Sequence, residues 1–141
     1  MSKVAVVYWS GTGNTENMAN AVVSGAKNKG AEVSLFTASE FSVDKVSEFD
    51  TIGFGCPSMG VEQLEESEFE PMFTSLIDKL NGKKIALFGS YGWGDGEWMR
   101  NWAENCKNAG AELVSDFVIC QEAPDDEAIE KCNNLGAALA N

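Results

Sequence analysis

Histidine is absent from the 141 residues of this chain. Because histidine is the commonest general base in enzymes, its absence excludes Ser–His and Cys–His catalytic arrangements. The four cysteines, Cys56, Cys106, Cys120 and Cys132, include no Cys-x-x-Cys pair. The spacings of zinc and iron–sulfur sites are therefore missing, and no metal site is expected. We expect the cysteines to be buried free thiols.

Positive charge is also scarce. The chain has 10 Lys and Arg against 22 Asp and Glu, which gives a net charge of −12. Proteins bind nucleic acids and anionic membranes through Lys and Arg, so neither partner is expected here. The acidity itself has two interpretations. It is typical of a protein that binds partners with a basic docking surface, and equally of a solvated surface that aids solubility.

Long hydrophobic runs are missing as well. No segment approaches the ~18–20 apolar residues that span a bilayer, and no N-terminal signal peptide is recognisable. The apolar fraction of 44% is sufficient for a packed core. We therefore expect a single cytoplasmic domain covering residues 1–141.

Strand and helix patterns alternate along the chain. Nearly continuous apolar runs predict buried strands, and apolar residues every three or four positions predict helices. The predicted strands are residues 3–9, 32–36, 51–55, 84–90 and 112–119, and the predicted helices are residues 14–29, 65–79, 97–109 and 125–140. Short connections between alternating elements predict an α/β fold, with a parallel sheet covered by helices on both faces. In such sheets, ligands bind beyond the carboxyl ends of the strands.

The loop after the first strand consists of six small neutral residues, 10–15. Its glycines allow close approach of the backbone, and the following helix start supplies unpaired N–H groups, which suits a phosphate. No Lys or Arg lies between Lys3 and Lys27, so this is not a P-loop, and Glu16 breaks the dinucleotide Gly-x-Gly-x-x-Gly pattern. The alternative is an ordinary strand-to-helix turn.

The loops after the third and fourth strands, 56–63 and 90–98, bring Met59, Tyr91 and Trp93 to the same end of the sheet. A tryptophan among glycines suits stacking on a flat ring, although it can also fold back onto the core. Trp98 and Trp102 follow the helical stripe and are expected to be structural. A phosphate beside a flat ring predicts a bound mononucleotide.

The segments VYWSGTGNTE, GCPSMG, LEESEFEP and ALFGSYGWGDGEWM resemble the flavodoxins, specifically the short-chain type of anaerobic bacteria. The resemblance covers the chain from end to end. It implies a flavodoxin-like, doubly wound sheet of five parallel strands in the order 2-1-3-4-5. It also implies a low-potential one-electron carrier that binds FMN non-covalently and cycles between the semiquinone and the hydroquinone.

The resemblance further assigns roles to individual residues. The 10–15 loop would bind the FMN phosphate, Met59 and Trp93 would cover the two faces of the isoalloxazine, and Glu62 would accept from flavin N3–H. The Gly60–Val61 peptide would turn its carbonyl toward N5, although Val61 stands where relatives often carry an acid. No ribityl contact is assigned to Gln121 or Glu122. The cofactor-binding residues so implied are Ser10, Gly11, Thr12, Gly13, Asn14, Thr15, Pro57, Ser58, Met59, Gly60, Val61, Glu62, Ser90, Tyr91, Gly92, Trp93 and Gly94.

Two other functions fit less well. An FMN-dependent quinone or nicotinamide oxidoreductase requires a second pocket beside the flavin, which these short loops do not suggest. A phosphate-acceptor regulatory domain requires paired acids after the first strand and a lysine after the last, and neither is present. We therefore expect a monomeric carrier, not an enzyme, whose acidic rim at residues 62–70 and 95–97 binds redox partner proteins with basic docking surfaces.

Overall fold

A computed structural model of the chain describes residues 2–59, 63–92 and 94–141. Six strands and four helices are assigned in these ranges, together with 3-10 helices at Ala38–Glu40, Val43–Glu48 and Ile77–Leu80. None of the helices in these ranges has both the length and the apolar composition that crossing a membrane requires. The elements are β1 (Lys3–Tyr8), α1 (Asn14–Asn28), β2 (Glu32–Thr37), β3 (Thr51–Gly55), α2 (Phe69–Leu76), β4 (Lys84–Tyr91), α3 (Glu97–Asn108), β5 (Glu112–Leu113), β6 (Val118–Gln121) and α4 (Asp126–Ala140).

The strands form one parallel sheet in the order β2-β1-β3-β4-β5, with β6 also paired to β4. The predicted order is confirmed. From β1 the chain passes to β2 on one side of it. It then crosses back over β1 to β3 and continues on that side to β4 and β5. The strand order thus reverses beside β1, and a crevice opens there at the carboxyl ends of the strands.

The predicted fifth strand, residues 112–119, is divided into β5 and β6. Leu113 pairs with Ile85 of β4, and pairing resumes only where Val118 meets Phe88. Two residues of β4 (86–87) therefore face four residues of the other chain segment (114–117). The two additional residues of the 114–117 segment form a bulge between β5 and β6. Because this segment lies at the sheet edge, the bulge displaces no other strand. The prediction of one continuous strand was wrong at this point.

The two faces of the sheet are covered by different helix pairs. Along β1, Val4 and Val6 pack in one buried cluster with α1 and α4, whereas Ala5 and Val7 pack in a second with α2 and α3. This alternation follows from the two-residue period of a strand. Because both clusters are buried, β1 reads as a continuous apolar run in the sequence.

Helix α2 begins later than predicted, at Phe69 instead of residue 65, and ends at Leu76 before a short 3-10 turn. The reason is Glu65, whose side chain accepts hydrogen bonds from the backbone N–H groups of Glu68 and Phe69. A carboxylate that binds the first N–H groups of a helix fixes where the helix starts. The pattern of acidic residues before it does not show this boundary.

Three of the four cysteines, Cys56, Cys106 and Cys132, are buried, as predicted, whereas Cys120 is half-buried. All four are free thiols. Burial raises the pKa of the Cys106 thiol and of the Cys132 thiol to about 12 in each case. These two thiols therefore stay protonated at neutral pH, which is typical of structural cysteines.

Candidate functional site

A cleft of about 190 Å³ lies at the carboxyl end of the sheet, between the loops that follow β1, β3 and β4. Its position is the one that the strand-order reversal beside β1 predicts. All of the described residues that line it are neutral except one glutamate. They are Thr12, Asn14, Thr15, Pro57, Ser58, Met59, Ser90, Tyr91, Gly92 and Glu122.

The loop after β1 is shaped by Ser10 and Gly13. Gly13 has a φ of 97°, in the left-handed region that favours glycine, and stands immediately before α1. The Ser10 hydroxyl oxygen accepts hydrogen bonds from the N–H groups of Gly13 at 3.0 Å and Glu16 at 3.3 Å. Ser10 therefore bends the loop over the start of α1, where the helix dipole and unpaired N–H groups favour an anion.

Thr15 supplies a buried donor without a partner. The residue is 1% exposed, lines the cleft, and its Oγ1 has no hydrogen-bond partner among the described residues. A buried hydroxyl left unpaired costs free energy, so such groups usually have a ligand. A phosphate oxygen in the cleft would accept this hydrogen bond. The donor set thus fits a phosphate held by neutral groups, as the sequence predicts.

The loop after β3 is closed by a short antiparallel bridge. Met59 and Gln63 exchange two backbone hydrogen bonds, of 2.8 and 3.0 Å, and the Gln63 side chain donates to Glu66. Met59 lines the cleft and is 37% exposed, which leaves its thioether available to a ring. The three residues enclosed by the bridge, 60–62, lie outside the described residues. The contacts predicted for Gly60, Val61 and Glu62 therefore stay predictions, as do those of Trp93.

Glu65 anchors the far end of this loop. It is only 5% exposed, and its two carboxylate oxygens accept four hydrogen bonds, from the Ser67 hydroxyl and the N–H groups of Ser67, Glu68 and Phe69. Burial opposes ionisation of the carboxyl, but these hydrogen bonds outweigh it and hold the pKa of Glu65 below its ordinary value. A charged Glu65 therefore fixes the position of the 63–69 segment beside the cleft.

Trp98 connects the loops after β3 and β4. Its indole N–H donates to the carbonyl of Cys56 at 3.2 Å, and its ring lies 5.5 Å from that of Tyr91, centroid to centroid. Trp98 is 2% exposed, which agrees with the structural role that its helical spacing predicts. The Trp98 ring therefore packs against Tyr91, which lines the cleft, and helps to fix its position.

Glu122 lies in the cleft, although no role was assigned to it from the sequence. Its carbonyl accepts from the Ser90 hydroxyl at 2.6 Å, and its N–H donates to the Tyr91 carbonyl at 2.8 Å. Gln121 beside it donates to the Gly92 carbonyl at 3.3 Å. The place of Glu122 follows from the sheet topology. Because β6 pairs with β4, the loop after β6 lies at the same edge of the sheet as the loop after β4.

A larger cleft, of about 430 Å³, lies elsewhere in the described part of the chain. It is lined by Val43, Val46, Lys79 and Lys83, among others, near the amino ends of β3 and β4. It contains neither a glycine-rich loop nor an aromatic ring. We take the smaller cleft as the candidate site, because the loops after β1, β3 and β4 converge there. It is also lined by the buried Thr15 hydroxyl, which has no hydrogen-bond partner among the described residues.

Comparison with known proteins identifies the family. The family model described as Flavodoxin matches residues 6–136. The chain belongs to the flavodoxin family. The flavodoxin of Megasphaera elsdenii is 47% identical over 137 residues, covering 97% of this chain and 98% of the relative. The flavodoxin of Clostridium beijerinckii is 46% identical over 136 residues, covering 96% and 98%.

The solved structures show the same likeness. The solution structure of two-electron reduced Megasphaera elsdenii flavodoxin has a TM-score of 0.90 and 48% identity, and covers 97% of this chain and 98% of that one. Flavodoxins carry electrons to and from redox partners by means of bound FMN. The chain is thus a short-chain flavodoxin, and its cofactor is FMN.

The flavodoxin cleft contains nine of the predicted cofactor-binding residues, together with Glu122. Three other predicted residues belong to the 10–15 loop but do not line the cleft: Ser10, Gly11 and Gly13. Gly94 has a φ of 90° and permits the turn before α3. The remaining predicted positions, Gly60, Val61, Glu62 and Trp93, fall outside the described residues.

Proposed function

We propose that this flavodoxin holds FMN non-covalently through three loops, residues 10–15, 57–62 and 90–94, and acts as a low-potential one-electron carrier. The observation that carries the proposal is the buried Thr15 hydroxyl, which has no hydrogen-bond partner among the described residues and lies in a cleft at the strand-order reversal. The phosphate would accept hydrogen bonds from Thr15, from the hydroxyl and amide groups of Thr12 and Asn14, and from loop N–H groups.

The rest of the cofactor extends from this cleft toward Met59. The cleft volume of about 190 Å³ is below the ~300–1,000 Å³ of typical small-molecule pockets, so only part of FMN fits inside it. The ring would lie at the edge, against Met59 on one face and Trp93 on the other. The Ser90 hydroxyl already donates to the Glu122 carbonyl. Ser90 would therefore position Glu122 beside the ribityl chain instead of contacting that chain itself.

The charges around the site favour a low potential. When bound, FMN supplies reversible acceptance of electrons, and the protein adjusts how readily it does so. Among the described residues, the charged one that lines the cleft is Glu122, and the neighbouring segments carry Glu65, Glu66 and Asp95. Placing further negative charge near these carboxylates is unfavourable, so the fully reduced cofactor is destabilised and becomes a strong reductant.

We further propose that the chain acts as one monomeric, cytoplasmic domain without catalytic activity of its own. Its partners would present basic surfaces to the acidic segments beside the cleft. The first turn of each of the four helices carries an acid, Glu16, Glu70, Glu97, Asp126 and Glu127 among them. These helix starts follow the carboxyl ends of strands, so the acids surround the cofactor edge.

An anaerobic reductive titration followed by visible spectroscopy tests the carrier function. The FMN-loaded protein should take up its first electron at a clearly higher potential than its second, with a long-wavelength absorbing species at the midpoint. Bleaching in a single two-electron step, or rapid oxidation of NADPH by the protein alone, would instead favour the oxidoreductase. Failure of the apoprotein to bind FMN would refute the proposal.

A further inference from the structure

Two acidic side chains, Glu16 and Glu40, are each held by a residue at the carboxyl end of a neighbouring strand. Tyr8 and Thr37 are neighbours across the β1–β2 ladder. The Tyr8 hydroxyl donates to Glu16 Oε2 at 3.3 Å. The N–H and hydroxyl of Thr37 donate to Glu40 Oε1 at 2.8 and 2.9 Å. Neither carboxylate is directed at the loop by these contacts.

Glu16 has a competing position available. It is the third residue of α1, and a glutamate there commonly folds back to accept from the N–H of the residue before the helix. In this chain that residue is Gly13, a member of the loop. Here the Gly13 N–H bonds the Ser10 hydroxyl, and the Glu16 carboxylate bonds Tyr8 instead. A carboxylate folded back onto the Gly13 N–H would displace the Ser10 hydroxyl and bring a negative charge to the loop.

The loop has no positively charged side chain to offset such a carboxylate. Between Lys3 and Lys27 the sequence contains no Lys or Arg, and the described residues that line the cleft are neutral apart from Glu122. A phosphate dianion would therefore be repelled by Glu16. The direction in which the Glu16 side chain points thus decides how well the loop accepts an anion.

We propose that Tyr8 is a positioning residue for cofactor binding, whose hydroxyl holds the Glu16 carboxylate away from the 10–15 loop and so keeps its negative charge away from the FMN phosphate. This rests on the proposed phosphate-binding role of the loop. The buried ring of Tyr8 fixes the direction of its hydroxyl. Burial and the charge of Glu16, with smaller effects from their hydrogen bond and from Glu40, raise the pKa of Tyr8. The hydroxyl therefore remains a donor well above neutral pH.

The test compares the affinities of apoprotein variants for FMN and for riboflavin, which lacks the phosphate. In Tyr8→Phe, FMN affinity should fall roughly three- to tenfold while riboflavin affinity is unchanged, since the freed carboxylate affects only the phosphate. The double variant Tyr8→Phe/Glu16→Gln should recover wild-type FMN affinity. The matched control, Tyr8→Phe/Glu40→Gln, removes the same charge from the acid that Thr37 holds, and should not recover it.

Equal loss of FMN and riboflavin affinity in Tyr8→Phe would overturn the inference, and so would failure of Glu16→Gln to rescue. If Tyr8→Phe does not fold, Glu16→Asp tests the same contact, because the shorter acid keeps its charge but does not reach Tyr8. It should weaken FMN and spare riboflavin, and unchanged FMN affinity would count against Tyr8. Wild-type protein that binds both ligands equally would instead refute the phosphate role of the loop.

Discussion

The Thr15 hydroxyl is the residue-scale feature on which the site depends, since it is buried and has no partner within the described residues. Without a ligand, the unpaired hydroxyl lowers the stability of the folded protein. With a bound phosphate, its hydrogen bond would add to the free energy of binding. Ser10 differs, because its hydroxyl is already engaged by two loop N–H groups. Residues of the same chemical type in one loop thus have separate roles, in binding and in shaping the loop.

Replacement of Thr15 by valine should affect stability and binding in opposite directions. Valine keeps the branched shape but removes the unpaired hydroxyl, so the apoprotein should become about 1 kcal/mol more stable. FMN affinity should fall about 10- to 100-fold, because a hydrogen bond to a charged phosphate is lost. Thermal unfolding and fluorescence titration measure the two effects. Thr12→Val, at an exposed loop position, should give no gain in stability, and unchanged FMN affinity in Thr15→Val would contradict the assignment.

Replacement of Glu65 by glutamine should destabilise the protein by about 2 kcal/mol. Each carboxylate oxygen accepts two hydrogen bonds, and an amide nitrogen in either place would oppose two donors. Because the pKa of Glu65 is lowered by folding, its stabilisation is present above the ordinary value of about 4.3 and is lost as the pH falls through the folded pKa.

Urea unfolding of the wild type and Glu65→Gln between pH 3 and pH 7 measures this effect. The difference between the two proteins should be full at neutral pH and should shrink as the solution is acidified below about pH 4. Glu68→Gln is the matched control, since that side chain is exposed on the same segment. A difference that is independent of pH would show that the charge of Glu65 is not what stabilises the turn.

At the scale of elements, the contact between α1 and α4 depends on two glycines. A Cβ at Gly25 would overlap the carbonyl oxygen of Asn133, and one at Gly136 would overlap that of Val22. The backbones of the two helices therefore pack closely on one face of the sheet, over Val4 and Val6 of β1. Since α1 begins at the loop proposed to bind the phosphate, the position of this helix also sets the position of the loop.

Replacement of Gly136 by alanine should cost about 2 kcal/mol of stability. Alanine favours helix by about 1 kcal/mol over glycine, but the overlap with the Val22 carbonyl forces the helices apart and outweighs that gain. Asn134→Ala, at an exposed position of α4, is the control and should not destabilise. A more stable Gly136→Ala protein in thermal unfolding would contradict the close packing described here.

At the scale of the whole molecule, charge is distributed unevenly along the direction of the strands. Acids occupy the helix starts beside the cleft, whereas lysines occur where α1 and α3 end and where β1 and β4 begin. The negative side of this distribution coincides with the edge at which FMN would be exposed. The electric field of such a distribution attracts and orients a positively charged partner, and salt reduces the distance over which it acts.

The rate of electron transfer to a small haem protein of net positive charge should therefore fall steeply as ionic strength rises from about 0.02 to 0.2 M. Glu68→Gln/Glu70→Gln, beside the cleft, should lower the rate at low salt. The matched control, Glu48→Gln/Glu112→Gln, removes the same charge near the amino ends of the strands and should lower it less. Equal effects of the two pairs of substitutions, or a rate independent of salt, would show that these acids do not bind partners and are only part of the solvated surface.

The resemblance to the flavodoxins predicted the strand order. The sequence by itself determined the α/β class, the parallel sheet and the loops after the strands that form the candidate site. These follow from local information: apolar runs such as that of β1 define buried strands, and the small residues after β1 precede a helix start. Tertiary structure decided the break between β5 and β6, the start of α2 at the Glu65 hydrogen bonds, and the place of Glu122 in the cleft. The break and the place of Glu122 depend on contacts between distant residues, Leu113 with Ile85 and Glu122 with Ser90, which no local pattern encodes. The start of α2 depends on a local contact, but only the folded segment shows that the Glu65 carboxylate folds back onto the N–H groups of Glu68 and Phe69.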